Sequence, residues 1–444
     1  MVETLGHIAV QPDWTVDVDG ALGGGDSNEG PHRFWVSAYK QGSESIHDSV
    51  EATATATAAD AGGKRIVSLA TASGDSEGVA AEYVSPRQLR LWSRRLAIPA
   101  ALHTAAGTAV ECSNTARAAT AGVRSIDVSR HGGLLVAGGD DGALDVYETT
   151  SGGGAHRVRL AGHLGDVTCC RFFPSGQVVL SGATDMRLKV WSAADGSNPV
   201  TLVGHTARVT DCAIVGVGKN VVSAGADGSV RLWHCGSATL VHMFTLSDSA
   251  VNRIIVAEAR EGLRQGSESS SAGEAGNEFE TAGKIVVAAC EDGRVLVLDL
   301  HSRETVAVFG AVGDPPVRAV AYDTERDTVF AGRADGSVAV WSGAKTATTA
   351  PVLVFTRGTA AVSDVCLVRT SAAPPLLCVG TEDGQLFLAA VSVGAASASV
   401  EVVEDLVAFD VDPITQIRPV PSSEPNASRQ NVWAAARCSR VCRF

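Results

Sequence analysis

The chain has 444 residues, 45% hydrophobic and 19% charged, which is enough apolar material for a sizeable core. Its formal net charge of −13 argues against nucleic-acid backbones and anionic membranes as partners, since both demand dense Lys and Arg. No apolar run is long enough for a membrane-spanning helix, and the 47 glycines suit many tight turns better than long helices.

The first 105 residues carry no clear repeat. The opening MVETLGHIAV lacks the apolar stretch of a secretory leader. Residues 51–60, EATATATAAD, are low in complexity. Trp14 and Trp35 are expected in the core of a small N-terminal domain, so residues 1–105 are read as that domain and a linker.

The stretch from Gly162 to Trp191, GHLGDVTCCRFFPSGQVVLSGATDMRLKVW, contains His163, Ser181, Asp185 and Trp191. Ser, His and Asp together suggest a hydrolase. Yet the same four residue types return 42 positions later as His205, Ser223, Asp227 and Trp233. A catalytic triad is assembled once per active site, whereas a tandem constellation is a structural device. The Asp is expected to hold turn N–H groups and the His ring. The His would then face the Ser hydroxyl, and the Ser oxygen would accept from the Trp indole, leaving no buried polar group unpaired.

Weaker copies hold the register. Acidic turns fall at Asp141, Asp185, Asp227, Asp292, Asp335 and Asp383, and a seventh unit ends the chain with Cys438 in the Asp position. Each unit reads as short strands rich in Val, Leu and aromatics between turn residues, as in VTCCRFF, QVVLSG and LKVWS. Spacings of about 40 to 45 residues, with Gly-His opening a unit and Asp before Trp closing it, are the signature of WD-repeat propeller blades. Residues 106–444 are therefore expected to form a seven-bladed WD-repeat β-propeller, an all-β fold. Ala137, Ala288, Ala331 and Val379 stand where Ser would be, and Tyr147, Leu298 and Ala389 replace Trp. The polar insertion at about 258–283 is expected to be a disordered hairpin tip.

The chain stops after the third strand of its last unit, so an upstream strand must supply the fourth and close the ring. Thr108 to Thr115 is the favoured segment, with Gln88 to Trp92 as the alternative.

The ten cysteines show no paired spacing of a disulfide framework or zinc site, and read as small apolar thiols. Gly216 to Asn220 resembles half a P-loop but lacks its glycine spacing and its Ser/Thr, and is expected to be a hairpin turn. No metal, cofactor or catalysis is expected. That leaves binding, which in propellers lives on the loops around one channel mouth. Register puts Asp140, Thr184, Glu291 and Glu382 on that rim, together with Arg124, Asn252 and Arg318, flanked by Asp166 and Arg208. Asp140, Asp166, Glu291 and Glu382 would make acidic spots for a basic partner.

LAGHLGDVTCCRFFPSGQVVLSGATDMRLKVWSAADGS and GHTARVTDCAIVGVGKNVVSAGADGSVRLWHCG, within residues 160–235, resemble the proteasomal ATPase-associated factor family. Weaker agreement covers SIDVSRHGGLLVAGGDDG and the closing WAAARCSRVCRF. The resemblance implies a chaperone that assists assembly of the proteasome regulatory particle base, in the cytoplasm and nucleus. It implies binding to the C-terminal domain of one proteasomal AAA ATPase subunit, by a chain monomeric on its own, with no nucleic acid or membrane partner. A different WD-repeat scaffold, such as a ubiquitin-ligase adaptor or histone-binding subunit, is the alternative.

Overall fold

A computed structural model describes residues 2–16, 32–56, 65–74, 77–85, 87–112, 122–149, 154–246, 249–259, 278–343, 350–371, 374–394, 397–409, 411–421 and 429–444. The described residues form 36 strands in eight sheets, with helical residues only at 14–16. Seven of the sheets follow the repeat register.

Sheet 1 comprises Val123–Val128, Leu134–Gly139, Ala143–Glu148 and Ala155–Ala161. Sheet 2 comprises Val167–Phe172, Val178–Ala183, Arg187–Ser192 and Val200–Val203. Sheet 3 runs from Val209–Val215 through Asn220–Gly225 and Ser229–His234 to Thr239–Thr245. Sheet 4 runs from Val251–Glu258 through Lys284–Cys290 and Val295–Asp299 to Thr305–Phe309. Within each, neighbouring strands are antiparallel in chain order. Period-2 alternation cannot bury both faces of one such sheet, so each must find apolar cover on two sides.

Sheets 5 to 7 add strands from the beginning of the chain. In sheet 5, Val317–Asp323, Thr328–Arg333, Ser337–Ser342 and Leu353–Thr356 are joined by Val2–Thr4, parallel to Leu353–Thr356. In sheet 6, Val362–Val368, Leu376–Thr381, Leu386–Val393 and Ala398–Val407 are extended by Ile98–Ala105, Gln88–Ser93 and Ala80–Ser85. Ile98–Ala105 runs parallel to Ala398–Val407. In sheet 7, Ile414–Val420, Asn431–Ala436 and Arg440–Arg443 are completed by Thr108–Glu111, antiparallel to Arg440–Arg443. Gln88–Ser93 thus lies in sheet 6, away from the last strand.

The cores sit between sheets. Leu144, Val146, Cys170 and Trp191 pack together between sheets 1 and 2. Cys169, Leu188, Val221 and Trp233 do so between sheets 2 and 3. The pattern continues until Val420, Trp433 and Val441 of sheet 7 pack with Val110 and with Val123, Ile126 and Tyr147 of sheet 1. The first strands of sheets 1 to 7 touch in sequence, and that of sheet 7 touches that of sheet 1. An all-β chain with this radial stacking fits a β-propeller.

The eighth sheet holds His7–Val10, His32–Tyr39, Ile46–Ala56 and Arg65–Thr71. Its Val36 and Val50 share a core with Leu89, Leu91 and Ile98 of sheet 6. Trp14 is fully buried in that core, but Trp35 is 42% exposed and is not the core residue expected from sequence. Along its strand, Phe34 and Val36 take the inward positions and leave Trp35 outside.

The ends of the segment expected to be disordered are placed, at residues 258–259 and 278–283. Residues 260–277 lie outside the described set, but Glu278 and Thr281 are buried. Phe279 N–H donates to Asn220 Oδ1 at 2.7 Å, and the Glu280 carboxylate accepts from Val217 N–H at 2.7 Å. These contacts fasten residues 278–281 to the Gly216–Asn220 hairpin turn, so this end of the insertion is ordered by a neighbouring sheet. Polar composition alone could not reveal that anchor.

Candidate functional site

The two quartets adopt near-identical geometry. His163 Nδ1 lies 2.9 Å from Asp185 Oδ2 and its Nε2 2.8 Å from Ser181 Oγ, which accepts from Trp191 Nε1 at 2.8 Å. In the next sheet the corresponding distances are 2.9, 2.7 and 2.8 Å through His205, Asp227, Ser223 and Trp233. With Nδ1–H donated to the carboxylate, Nε2 accepts the Ser proton, so the chain of donors closes without a gap. Asp185 also accepts from the N–H of Leu164 at 3.1 Å and of Arg187 at 3.1 Å. Asp227 accepts from Thr206 N–H at 3.0 Å, Ser229 Oγ at 2.7 Å and Arg231 Nη2 at 3.2 Å. A Cβ on Gly225 would fall 2.5 Å from both His205 Nδ1 and Asp227 Oδ1, so this position must be Gly.

Electrostatics favour the neutral imidazole. Burial pushes His163 and His205 below their ordinary value, and the paired carboxylates only partly offset it. Burial alone would raise the Asp227 carboxyl, but the Ser229 hydroxyl, the Thr206 N–H and His205 outweigh it and hold the group well below the carboxylate range. Ser181 and Ser223 have no exposed surface, so no substrate carbonyl reaches either hydroxyl in this conformation. In sheet 5 the network is broken. Trp341 is buried, but Ala331 occupies the Ser position and the indole N–H has no acceptor among the described residues.

The rim residues converge from different sheets. Arg124, Asp166, Thr184, Arg208, Asn252, Arg318 and Glu382 line one cavity of about 600 Å³ at the channel mouth, joined there by Arg437. Asp140 and Glu291 do not line it but bond residues that do. Arg124 pairs with Asp140 and, at 3.3 Å, with Asp166. Glu291 lies 3.4 Å from Arg318 and accepts from Asn252 Nδ2 at 2.7 Å. Three of the four acids read from sequence as acidic spots are thus compensated by neighbours. Arg124 serves Asp140 of its own sheet and Asp166 of the next, and Arg318 reaches back to Glu291 of the preceding sheet, pairings that a one-dimensional register does not reveal. Arg208, Arg437 and Glu382 are exposed and have no ion pair among the described residues.

Some rim side chains serve as clasps between sheets. Thr168 Oγ1 donates to Val209 C=O at 2.7 Å, and Asn252 Nδ2 to Val317 C=O at 2.8 Å. Each ties the first strand of one sheet to the first residue of the next. Below the mouth, Asp127, Arg171, Asp211, Arg253, Asp364 and Arg418 form a charged lattice that the sequence reading missed. The available signal was charge at positions of innermost strands whose equivalents in other sheets are small or apolar, such as Ala213, Ile255 and Ala321.

With the geometry in hand, kinship narrows the reading. The WD domain, G-beta repeat family model matches residues 110–148, 154–192 and 196–234. A 26S proteasome regulatory subunit, RPN14, of Saccharomyces cerevisiae is 37% identical over 183 residues, 40% of this chain and 43% of that protein. The chain carries WD40 repeats in these stretches and is similar to proteasome-associated factors. A probable proteasomal ATPase-associated factor 1 of Dictyostelium discoideum is 51% identical over 59 residues, 13% of each chain. The proteasomal ATPase-associated factor 1 of Homo sapiens is 46% identical over 57 residues, 13% of this chain and 14% of that one. The matched stretches span less than half the length of these relatives. By name, these relatives are proteasome-associated proteins.

Proposed function

We propose that the chain is a non-enzymatic chaperone for assembly of the proteasome regulatory particle base, binding the C-terminal domain of a proteasomal ATPase subunit. The observation that carries this reading is the 183-residue similarity to a proteasome regulatory subunit. The scaffold would be a closed seven-bladed propeller over residues 106–444, with residues 1–105 as a small N-terminal domain seated on it. The cyclic contact of first strands and the pairing of Thr108–Glu111 with Arg440–Arg443 support closure. A binding role without catalysis is favoured by the duplicated quartet and its unexposed serines.

The binding surface in this reading is the channel mouth, where Arg208, Arg437 and Glu382 remain uncommitted. Uncommitted charge on a rim sets association rate and partner choice. The protein would work as a monomer in the cytoplasm and nucleus, as tagged-protein imaging would test.

Affinity capture of the full chain with mass spectrometry tests the proposal. A proteasomal ATPase subunit without the mature core particle is the expected catch. Charge reversal by Arg208→Glu with Arg437→Glu should cut that catch at least roughly tenfold, the scale of one lost charged contact. The variant's melting midpoint should stay unchanged. Recovery of ligase or chromatin subunits in place of the ATPase would replace this reading with the other scaffold role.

A further inference from the structure

The axial channel holds more arginine donors than its own acceptors can use. Arg171, Arg253 and Arg418 point into one cavity of about 190 Å³, which touches the first strands of six sheets. Asp127, Asp211 and Asp364 lie among them, so formal charge balances, but hydrogen-bonding capacity does not. Each carboxylate gives one of its two oxygens to the neighbouring sheet's backbone. Asp127 accepts from Phe172 N–H at 2.6 Å, Asp211 from Ile254 N–H at 3.1 Å and Asp364 from Ile417 N–H at 2.8 Å. These bonds clasp sheet to sheet and fix the carboxylates in place.

The guanidinium groups are served unevenly. Arg171 has a good partner in Asp211 at 2.8 Å. Arg418 reaches Asp127 only at 3.3 Å and Asp364 at 3.6 Å, and its Nη2 has no acceptor among the described residues. Arg253 meets Asp364 at 3.6 Å, beyond hydrogen-bond range, and has no other ion-pair partner among the described residues. Two arginines therefore share one carboxylate, with fork-shaped donor edges left over. A guanidinium has five N–H donors and no acceptor, so only an added acceptor can satisfy them. Burial and then the charge of Arg171 push the Arg418 guanidinium below its ordinary value, as expected for an under-compensated cation.

We propose that this channel binds a small free oxyanion of the phosphate type, held by Arg253 and Arg418 with Arg171 beside them. A tetrahedral oxyanion offers several acceptors that bidentate guanidinium forks match. The cavity holds such an ion with part of its hydration shell. Arg253 also lines the mouth, which supplies the entry path. The net charge of −13 gives no long-range attraction, so affinity must come from short-range donors. The site lies below the rim, and its entry path opens into the mouth proposed above as the docking surface.

Calorimetry and thermal melts of the full-length chain test this with inorganic phosphate and pyrophosphate, against sodium chloride at equal ionic strength. Phosphate or pyrophosphate should raise the melting midpoint beyond chloride and give a saturable heat. Arg253→Gln should weaken that binding by about tenfold, the size of one charge-assisted bond. Its lone 3.6 Å contact makes the substitution mild for folding. Arg418→Gln should weaken binding at least as much where it folds. Arg303→Gln, which removes a contact with Glu278 outside the channel, should bind as the parent does. Equal response to phosphate, pyrophosphate and chloride would overturn the proposal, as would identical titrations for Arg253→Gln and Arg303→Gln.

Discussion

At the scale of single residues, the two quartets look interchangeable but carry different loads. Asp185 serves a His ring and two backbone N–H groups. Asp227 serves those equivalents and also Ser229 Oγ and the buried Arg231. Asp227→Ala therefore removes the partner of His205 Nδ1 and of Arg231 Nη2, leaving only Ser223 on His205 and Ser229 on Arg231, and is expected to cost on the order of 1–3 kcal/mol. Asp185→Ala should cost less. Urea denaturation of both variants checks the order, and equal losses would mean that Arg231 and Ser229 contribute nothing. Acid should act on both quartets together. His163 and His205 have folded values below their ordinary 6.5, so the native state binds fewer protons than the unfolded chain once pH falls below that value. Stability should be full above about pH 6.5 and decline as pH drops through the depressed values, with the low carboxyls of Asp185 and Asp227 adding to the loss at still lower pH. Denaturation midpoints across that range should fall, and a His163→Gln/His205→Gln double variant should flatten the dependence. A parent profile with no such fall would show that the imidazoles are not held neutral.

Among the elements, the strand Thr108–Glu111 is small and consequential. Its Val110 is fully buried in the core shared by sheets 7 and 1, opposite Val441. Without it, Arg440–Arg443 becomes an open edge and that core loses a wall. The preceding residues contribute differently, since Val2–Thr4 and Ile98–Ala105 add parallel strands outside sheets 5 and 6. Removing residues 1–105 should leave a chain that still melts cooperatively. Removing 1–120 should abolish that transition or drive aggregation. Circular dichroism and scattering on the two truncations distinguish them, and like behaviour would show that this strand does not close the ring. The strand that pairs with Arg440–Arg443 was readable because a strand count fell one short. The two parallel additions were not, because strands paired across some 300 residues, such as Leu102 with Glu404, leave no local pattern in either partner.

For the molecule as a whole, radial stacking explains why most units tolerate losing the quartet. Cover comes from both neighbouring sheets, so Ala288 with Leu298 can be wholly apolar and remain fully packed. The mixed case is sheet 5, where Trp341 survives without its Ser. The same geometry sends the first strand of every sheet to the axis, where isolated polar residues of seven distant segments become neighbours. A chain with a large acidic excess thereby acquires an arginine-lined channel, and its mouth is a surface of paired charges with Arg208, Arg437 and Glu382 left over.

The repeat period, the strand content and the spacing of the quartets were legible in the chain itself, because each depends on spacing within a unit of about 40 residues and on strand periodicity. What each rim side chain does was decided only in three dimensions. Asp140 and Asp166 became partners of Arg124, Asn252 became a clasp, and Trp35 faced outward. The axial lattice from Asp127 to Arg418 also exists only in the assembled fold. The physical reason is range: hydrophobic alternation acts between neighbours along the strand, whereas a charge is balanced by whatever the stacked sheets bring within a few ångströms of it.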